Sequence, residues 1–480
     1  MGSSEKTWSI SLNCPMNNDS KSQLELKMKS INPHNGQVLR PYTPHDLNHI
    51  EVTLSAAKER FESWKLVPLS ERSRMLHSLA TQLRRNKSEL AMLMADEMGK
   101  PLAEGEAEIE KCAVACEFYA DEGPKYLAPE LVKTDASKSW ISFEPLGPIL
   151  AVMPWNFPFW QVIRFAAPNI MAGNVGILKH ASNVSGCSLA IEDLFTQAGF
   201  PKNVFSSLLV SGKEIEKLIG HPIIKAVTIT GSTPAGKSVA TAAGKHIKKC
   251  VLELGGSDPY IVLADANVKK AAEICTKSRL INSGQSCIAA KRFIVDKLVR
   301  KEFEVAMLAE FKKIHWGNPR DPKNTVGPQA RQDLRDQLHE QVKRSVAAGA
   351  KLMLGGTIDE SDPGAYYPPT ILTDVEPGMP AFDEELFGPV AAIIEADDEK
   401  DAILLANQSI FGLGAAIFTE DVAKGERIAA QIDAGSVFIN ALVKSDARLP
   451  FGGIKESGHG RELSYYGLRE FLNIKTIYRA

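Results

Sequence analysis

Ala226-Val227-Thr228-Ile229-Thr230-Gly231-Ser232-Thr233-Pro234-Ala235-Gly236 is the stretch on which the fold turns. The first five residues are apolar or β-branched and read as a short buried strand. A Gly-containing turn then opens a helix. Working outward, Gly147 to Met153, Val175 to Lys179 and Ser206 to Val210 are further short apolar strands, with helices from about Ser185 and Lys213 between them. Strands separated by helices form a parallel, doubly wound sheet, so the expected class is α/β.

Before this run, Leu47 to Ala120 has apolar residues at threes and fours and is helical, and Trp140 to Phe143 is a strand. A second α/β run is expected from Val251. It has strands at Val251–Leu254, Tyr260–Leu263, Arg292–Val295, Ala391–Ile394, Ala415–Phe418 and Ser436–Asn440, and a helix over Val268–Leu280. Asn473 to Arg479 is strand-like, and terminal strands often add to an edge, sometimes in another subunit. The boundary between the two runs is placed near Lys249.

The chain has 480 residues, too many for one ordinary core. Lys plus Arg number 56 and Asp plus Glu 58, so no overall basic field recruits nucleic acid or anionic lipid. Seven scattered cysteines are an odd set that suits a reducing, cytoplasmic setting better than a disulfide framework. Cys112 and Cys116 share a helix face without a nearby His and read as core thiols; no metal is expected. Residues 1–27 are polar, without the basic and apolar regions of a secretory signal, and read as a flexible tail before a domain start at Met28. Gly147 to Leu178 is apolar enough to suggest a membrane span. Pro148, Pro154, Pro158 and Pro168, with Arg164 and three asparagines, make it a strand, loop and helix instead.

Several side chains point to chemistry. The turn after Thr230 lets backbone approach a ligand at Gly231, and the following helix N-terminus with Ser232 favours an anion; a plain strand-to-helix turn is the alternative. Lys179, at a strand end, could reach a ribose or phosphate, or be merely solvated. Cys287 lies in Asn282-Ser283-Gly284-Gln285-Ser286-Cys287, a small polar loop at an expected helix end. A thiol there is a nucleophile if its position and pKa allow, and otherwise an inert cysteine. Glu253, in Val251-Leu252-Glu253-Leu254-Gly255-Gly256, is an acid in an apolar strand end; burial would tune it toward a general base, exposure on an edge would not. Asn156, between Pro154 and Pro158, could donate to a developing oxyanion or simply form a turn.

In order along the chain come Pro154-Trp155-Asn156-Phe157-Pro158, Gly231 to Gly236, Leu252 to Gly256 and Gly284-Gln285-Ser286-Cys287. Glu384-Glu385-Leu386-Phe387-Gly388-Pro389 and Pro450-Phe451-Gly452-Gly453-Ile454-Lys455-Glu456-Ser457-Gly458 follow. From about Ile31 onward this resembles the NAD(P)-dependent aldehyde dehydrogenase superfamily. The resemblance implies a Rossmann-like cofactor domain (28–121 and 146–249), a catalytic domain (250–445) and oligomerisation elements (122–145 with 446–480), in a homodimer or homotetramer. It implies that Cys287 attacks an aldehyde, that Asn156 and the Cys287 N–H hold the oxyanion, and that Glu253 activates the hydrolytic water. Lys179 and Glu385 would hold cofactor ribose hydroxyls, Ser232 the pyrophosphate, and Trp155 and Phe387 would line the cleft.

Arg164, eight residues after Asn156, would project near the substrate entrance, where a cation can bind a carboxylate. Members resembling succinate-semialdehyde dehydrogenases carry an Arg there and a Ser matching Ser445, and the strings around Lys179 and Glu253 resemble their bacterial branch. Arg448 is a possible second cation or a solvent-facing residue. Another ω-acid semialdehyde, such as glutarate semialdehyde, or an uncharged aldehyde is the second choice of substrate. A non-enzymatic protein of the same fold is the alternative of another class. Ser182 replaces the Glu that many NAD-preferring members place three residues after the lysine, so NADP is expected to be preferred over NAD. Cys287-Ile288-Ala289 lacks the second cysteine that some relatives use as a redox switch.

Overall fold

The computed structural model describes residues 28–480. The expected tail and Cys14 lie outside the described residues. Four helices, Leu47–Trp64, Leu69–Arg85, Lys87–Met98 and Leu102–Tyr126, occupy the segment read as helical. The third helix closes on Gly99 at φ 78°, a left-handed cap.

The first sheet has six strands. Their order is Gly458–His459, Lys249–Glu253, Ala226–Thr230, Pro148–Met153, Val175–His180 and Phe205–Ser207, all parallel except the two-residue edge. The chain builds outward from Pro148–Met153 to Phe205–Ser207, then crosses back to lay Ala226–Thr230 on the other side. The order therefore reverses between Pro148–Met153 and Ala226–Thr230, and ligands of open α/β sheets collect at the carboxyl ends beside such a reversal. Trp155, Asn156, Gly231 and Ser232 leave the sheet at that place.

The strand expected to open the second run belongs instead to the first sheet: Lys249–Glu253 pairs in parallel with Ala226–Thr230, Glu253 opposite Thr230. Its alternation of apolar residues does not encode which sheet it joins. The crossing is made by Leu254 to Asp258, and the second sheet starts at Pro259. Its order is Lys351–Leu354, Thr370–Thr373, Val390–Ala396, Arg292–Asp296, Pro259–Val262, Gly414–Phe418 and Ser436–Ile439, with only Lys351–Leu354 antiparallel.

A third sheet packs Leu472–Arg479 and Glu130–Leu131 on either side of Lys138–Pro145, all antiparallel. The terminal strand thus has its partner within the chain. Residues 122–126, expected in this hairpin, finish the preceding helix, and Gly458–His459 joins the first sheet, so residues 446–480 serve two sheets. Leu131, Ile474 and Tyr478 of this small sheet are exposed.

The segment Gly147 to Leu178 is a buried strand, a loop and the helix Trp160–Ala172, whose every residue is buried. No helix among the described residues is long and apolar enough to cross a membrane. Cys112 and Cys116 lie in the core beside Ile109 and Tyr119.

Candidate active site

The helix Val268–Leu280 runs into the loop that carries Cys287, and the loop is strained where it turns. Asn282 and Ser283 have φ of 53° and 56°, left-handed values unusual outside glycine, each costing on the order of 1 kcal/mol or more unless surroundings impose them. The surroundings do. Asn282 Nδ2 donates to the carbonyls of Asn156 (2.6 Å) and Gln285 (3.1 Å), and its N–H donates to Glu104 Oε2 (2.8 Å). Ser283 Oγ accepts from the Gly327 N–H at 2.8 Å. Gly284 follows with φ 75°, and a Cβ there would lie 2.2 Å from the Gly388 carbonyl carbon. Beyond the cysteine, the buried Lys291 ammonium donates to the carbonyls of Cys287 (2.8 Å) and Ser286 (3.0 Å).

This scaffold sets Cys287 between two cavities. One, of about 230 Å³, lies at the sheet reversal and is lined by Trp155, Asn156, Gly231, Ser232, Glu385 and Phe387, among others. The other, of about 120 Å³, is lined by Lys111, Phe157, Trp160, Arg164, Ser445 and Phe451, among others. Cys287 is the one residue that lines both. A third cavity, of about 620 Å³, includes Ser182, Lys29 and Arg331 and has no cysteine in its lining.

Asn156 is buried, with Nδ2 donating to the Gln285 carbonyl at 3.1 Å and Oδ1 unpartnered. Its loop is pinned by Glu108, whose Oε1 accepts from the N–H groups of Phe159 and Trp160 (2.9 Å each) while its other oxygen pairs with the buried Lys100. Burial pushes the Cys287 thiol up to about 12, against the pull of Arg164 and Lys291. The sulfur is therefore a neutral thiol and needs a base to become the thiolate.

Glu253 is 2% exposed, on an interior strand, so the solvated-edge alternative falls. Burial, reinforced by the Glu462 carboxylate, holds its pKa well above the usual carboxylate range. Its Oε1 has no hydrogen-bond partner and lies 2.7 Å from where a Cβ on Gly452 would sit. In this pose Glu253 borders neither cavity; its strand neighbours Thr230 and Leu254 border the larger. A rotation of the side chain is needed to bring it to the sulfur.

The larger cavity suits a dinucleotide. Trp155 and Phe387 both line it and touch edge-on, ring centroids 5.7 Å apart. The helix Thr233–Lys245 points its N-terminus there without a side-chain cap, leaving N–H groups for an anion. Glu385 sits at the inner end, held by the Gly256 N–H (3.1 Å) and by Lys291 (3.4 Å). Gly255 and Gly256 permit this crowding: a Cβ on Gly255 would lie 2.5 Å from Glu385 Oε2, and one on Gly256 2.8 Å from the Cys287 carbonyl oxygen. Lys179 is at its strand end, its pKa lowered by burial. Ser182 lies in the short helical turn just beyond and lines the 620 Å³ cavity rather than this cleft.

On the other side, Arg164 reaches the smaller cavity but is 2% exposed and forms an ion pair with Glu462, with Phe451 under its guanidinium at 4.7 Å. Its charge is largely committed to that carboxylate. Arg448 is exposed and paired with Asp446 at 2.6 Å, which makes it the solvent-facing residue of the two readings. Ser445 is buried and accepts a hydrogen bond from Lys111 Nζ at 2.6 Å. Lys111 and Lys291 were not singled out from the sequence. For Lys111 a signal exists: Glu104, Glu108 and Lys111 recur at helical spacing on a face otherwise buried, and charges on such a face need a purpose.

A strained loop presents one thiol at the carboxyl end of a doubly wound sheet, between a cleft that suits a dinucleotide and a small pocket, an arrangement suited to redox chemistry. The family model for the aldehyde dehydrogenase family matches residues 19–477, and the chain belongs to that family. It is 48% identical over 456 residues, 95% of this chain and 100% of the relative, to a Synechocystis protein named "Probable succinate-semialdehyde dehydrogenase" with NADP+. It is 45% identical to the Escherichia coli succinate semialdehyde dehydrogenase Sad, named for NAD(P)+, covering 94% of this chain and 97% of the relative. The Streptococcus pyogenes succinic semialdehyde dehydrogenase, solved with NADP+, superposes with a TM-score of 0.92 at 36% identity, covering 94% and 99% of the two chains.

Proposed function

We propose that the chain oxidises succinate semialdehyde to succinate with NADP as preferred acceptor and NAD as a weaker one. The observation that carries this is the position of Cys287 as the sole residue common to the dinucleotide cleft and the smaller pocket. The names of the relatives above support the substrate, and Ser182 in place of a carboxylate supports the cofactor.

In this reading the aldehyde occupies the small pocket with its carbonyl carbon at Cys287 Sγ. Glu253 in its ionised form, rotated toward the sulfur, takes the thiol proton and passes it to solvent; sulfur bonds to the carbonyl carbon, and the oxygen gains the negative charge. Asn156 Nδ2 and the Cys287 N–H donate to that oxygen, so the protein supplies two prepositioned dipoles where charge develops. The Gly231–Ser232 turn and Glu385 in the cleft, with Trp155 and Phe387 lining it and Lys179 and Ser182 beyond it, would hold NADP, which would supply the hydride acceptor. Glu253, once rotated toward the sulfur, takes a proton from the water that attacks the resulting thioester carbon. The C–S bond breaks, the acid leaves, and Cys287 is restored. Glu253 works as a base only in its ionised form, so the proton that burial and the Glu462 carboxylate favour on it is released to solvent before it acts.

The division into cofactor and catalytic units, with the small sheet as an oligomerisation element, belongs to the same proposal; the exposed Leu131, Ile474 and Tyr478 support a homodimer or homotetramer. An aldehyde panel with both cofactors, followed by reduced-nicotinamide absorbance, tests the reading. Succinate semialdehyde with NADP is expected to give the highest kcat/KM, and an uncharged aldehyde or NAD ranking first would overturn it.

A further inference from the structure

We propose that Lys111, with Ser445, forms the cationic seat for the carboxylate at the far end of the aldehyde. The inference rests on the substrate class proposed above. The pocket wall beyond Cys287 contains three cations: Arg164, Lys111 and Lys444. Arg164 is paired with Glu462. Lys444 is exposed, at the mouth. Lys111 lies inside, and among the described residues it forms no ion pair: its ammonium sits 4.2 Å from the Trp160 ring centroid and donates to Ser445 Oγ at 2.6 Å.

Those two contacts leave an ammonium proton free and hold the group over an aromatic face. A neutral hydroxyl beside it, itself a donor to any incoming anion, completes a two-donor seat. A substrate carboxylate arriving there would supply the missing counter-charge for a half-buried cation, which is favourable compared with leaving that cation unpaired. An uncharged aldehyde gains nothing from it. The position is thus selective for carboxylate-bearing chains.

Several groups act on the ammonium: Arg164 from the helix Trp160–Ala172, Cys112 and Glu108 on its own helix, and Asp446 beside Ser445, with Lys444 at the mouth. Glu108 and Asp446 are each held by another cation, Lys100 and Arg448. Burial first, and Arg164 second, lower Lys111 to about 8. The seat is cationic below that pH and loses its charge as pH rises through it; a bound carboxylate moves the transition upward.

The test reads the ratio of kcat/KM for succinate semialdehyde to that for butanal, in wild type, K111M, K111R and K444M, from pH 6.5 to 9.5. In wild type the ratio is expected to be large at low pH and to fall through about pH 8. K111M should lower the ratio about 10- to 100-fold, the range of one lost charge-assisted hydrogen bond, and flatten its pH dependence. K111R should recover most of the ratio and carry it to higher pH, and K444M should change it less than threefold. A wild type that prefers succinate semialdehyde while K111M keeps both the preference and its pH dependence overturns the seat and leaves the proposed function standing. A wild type with no preference removes the proposed substrate instead. Should K111M fail to fold, K111Q in the same assay takes its place, and an unchanged ratio there also overturns the seat.

Discussion

Replacing Asn156 by Ala isolates one donor to the reacting oxygen. The amide is buried and held at 3.1 Å from the Gln285 carbonyl, which also accepts from Asn282 Nδ2, so truncation leaves that carbonyl bonded. The main-chain carbonyl of residue 156 keeps its bond from Asn282. The loop should therefore survive, with a stability loss of about 1 kcal/mol, the worth of one ordinary hydrogen bond. The loss should fall on the transition state, because a donor fixed before reaction costs no reorganisation when charge appears. One such donor is worth about 3–4 kcal/mol, or on the order of 10²–10³ in kcat. Single-turnover absorbance of reduced nicotinamide in N156A, with succinate semialdehyde saturating, should show hydride transfer slowed by that factor and KM changed severalfold at most. A hydride-transfer rate within tenfold of wild type would refute the assignment of this side chain to the oxyanion.

The Glu253→Gln variant should keep a single-turnover burst of reduced cofactor, slower than in wild type, while steady turnover falls by about 10²-fold or more, as expected for loss of a general base; a missing burst would take Glu253 out of deacylation. The same variant should melt higher than wild type at pH 8, with the gain vanishing toward pH 4. The folded carboxyl's raised pKa stabilises the native state only while the unfolded chain is also protonated, and that stability is lost as pH rises above the ordinary carboxylate range. Ser182→Glu should lower the NADP-to-NAD preference by about tenfold or more through repulsion of the 2′-phosphate, read from kcat/KM with each cofactor. Lys291→Met should remove the donors to the Cys287 and Ser286 carbonyls and leave Glu385 without its cation, costing about 3–5 kcal/mol by thermal or urea unfolding.

What the sequence made legible follows from locality. Ala226–Thr230 and Val268–Leu280 stand where their patterns put them, because β-branched runs and helical apolar spacing are local signals. Membership of Lys249–Glu253 in the first sheet depends on pairing with a strand some twenty residues earlier, which a hydrophobic pattern leaves open. At the site, the motifs identified Cys287, Asn156 and the cleft residues. They said nothing of charge balance. That Arg164 is committed to Glu462, that Lys111 pairs with no carboxylate among the described residues, and that Glu253 rests against Gly452 are facts of three-dimensional contact between segments far apart in sequence. The high pKa of Cys287 likewise comes from burial by the fold rather than from its flanking residues.

The covalent role of residue 287 is tested most directly by acid-quenching the Glu253→Gln protein during turnover of succinate semialdehyde with NADP and measuring the intact and peptide masses. A stable increment of one succinyl group, located on the peptide carrying Cys287 and absent without cofactor, is the predicted result. Reduced cofactor formed in stoichiometric amount with no acyl group on that sulfur, or with the group on another residue, would contradict it.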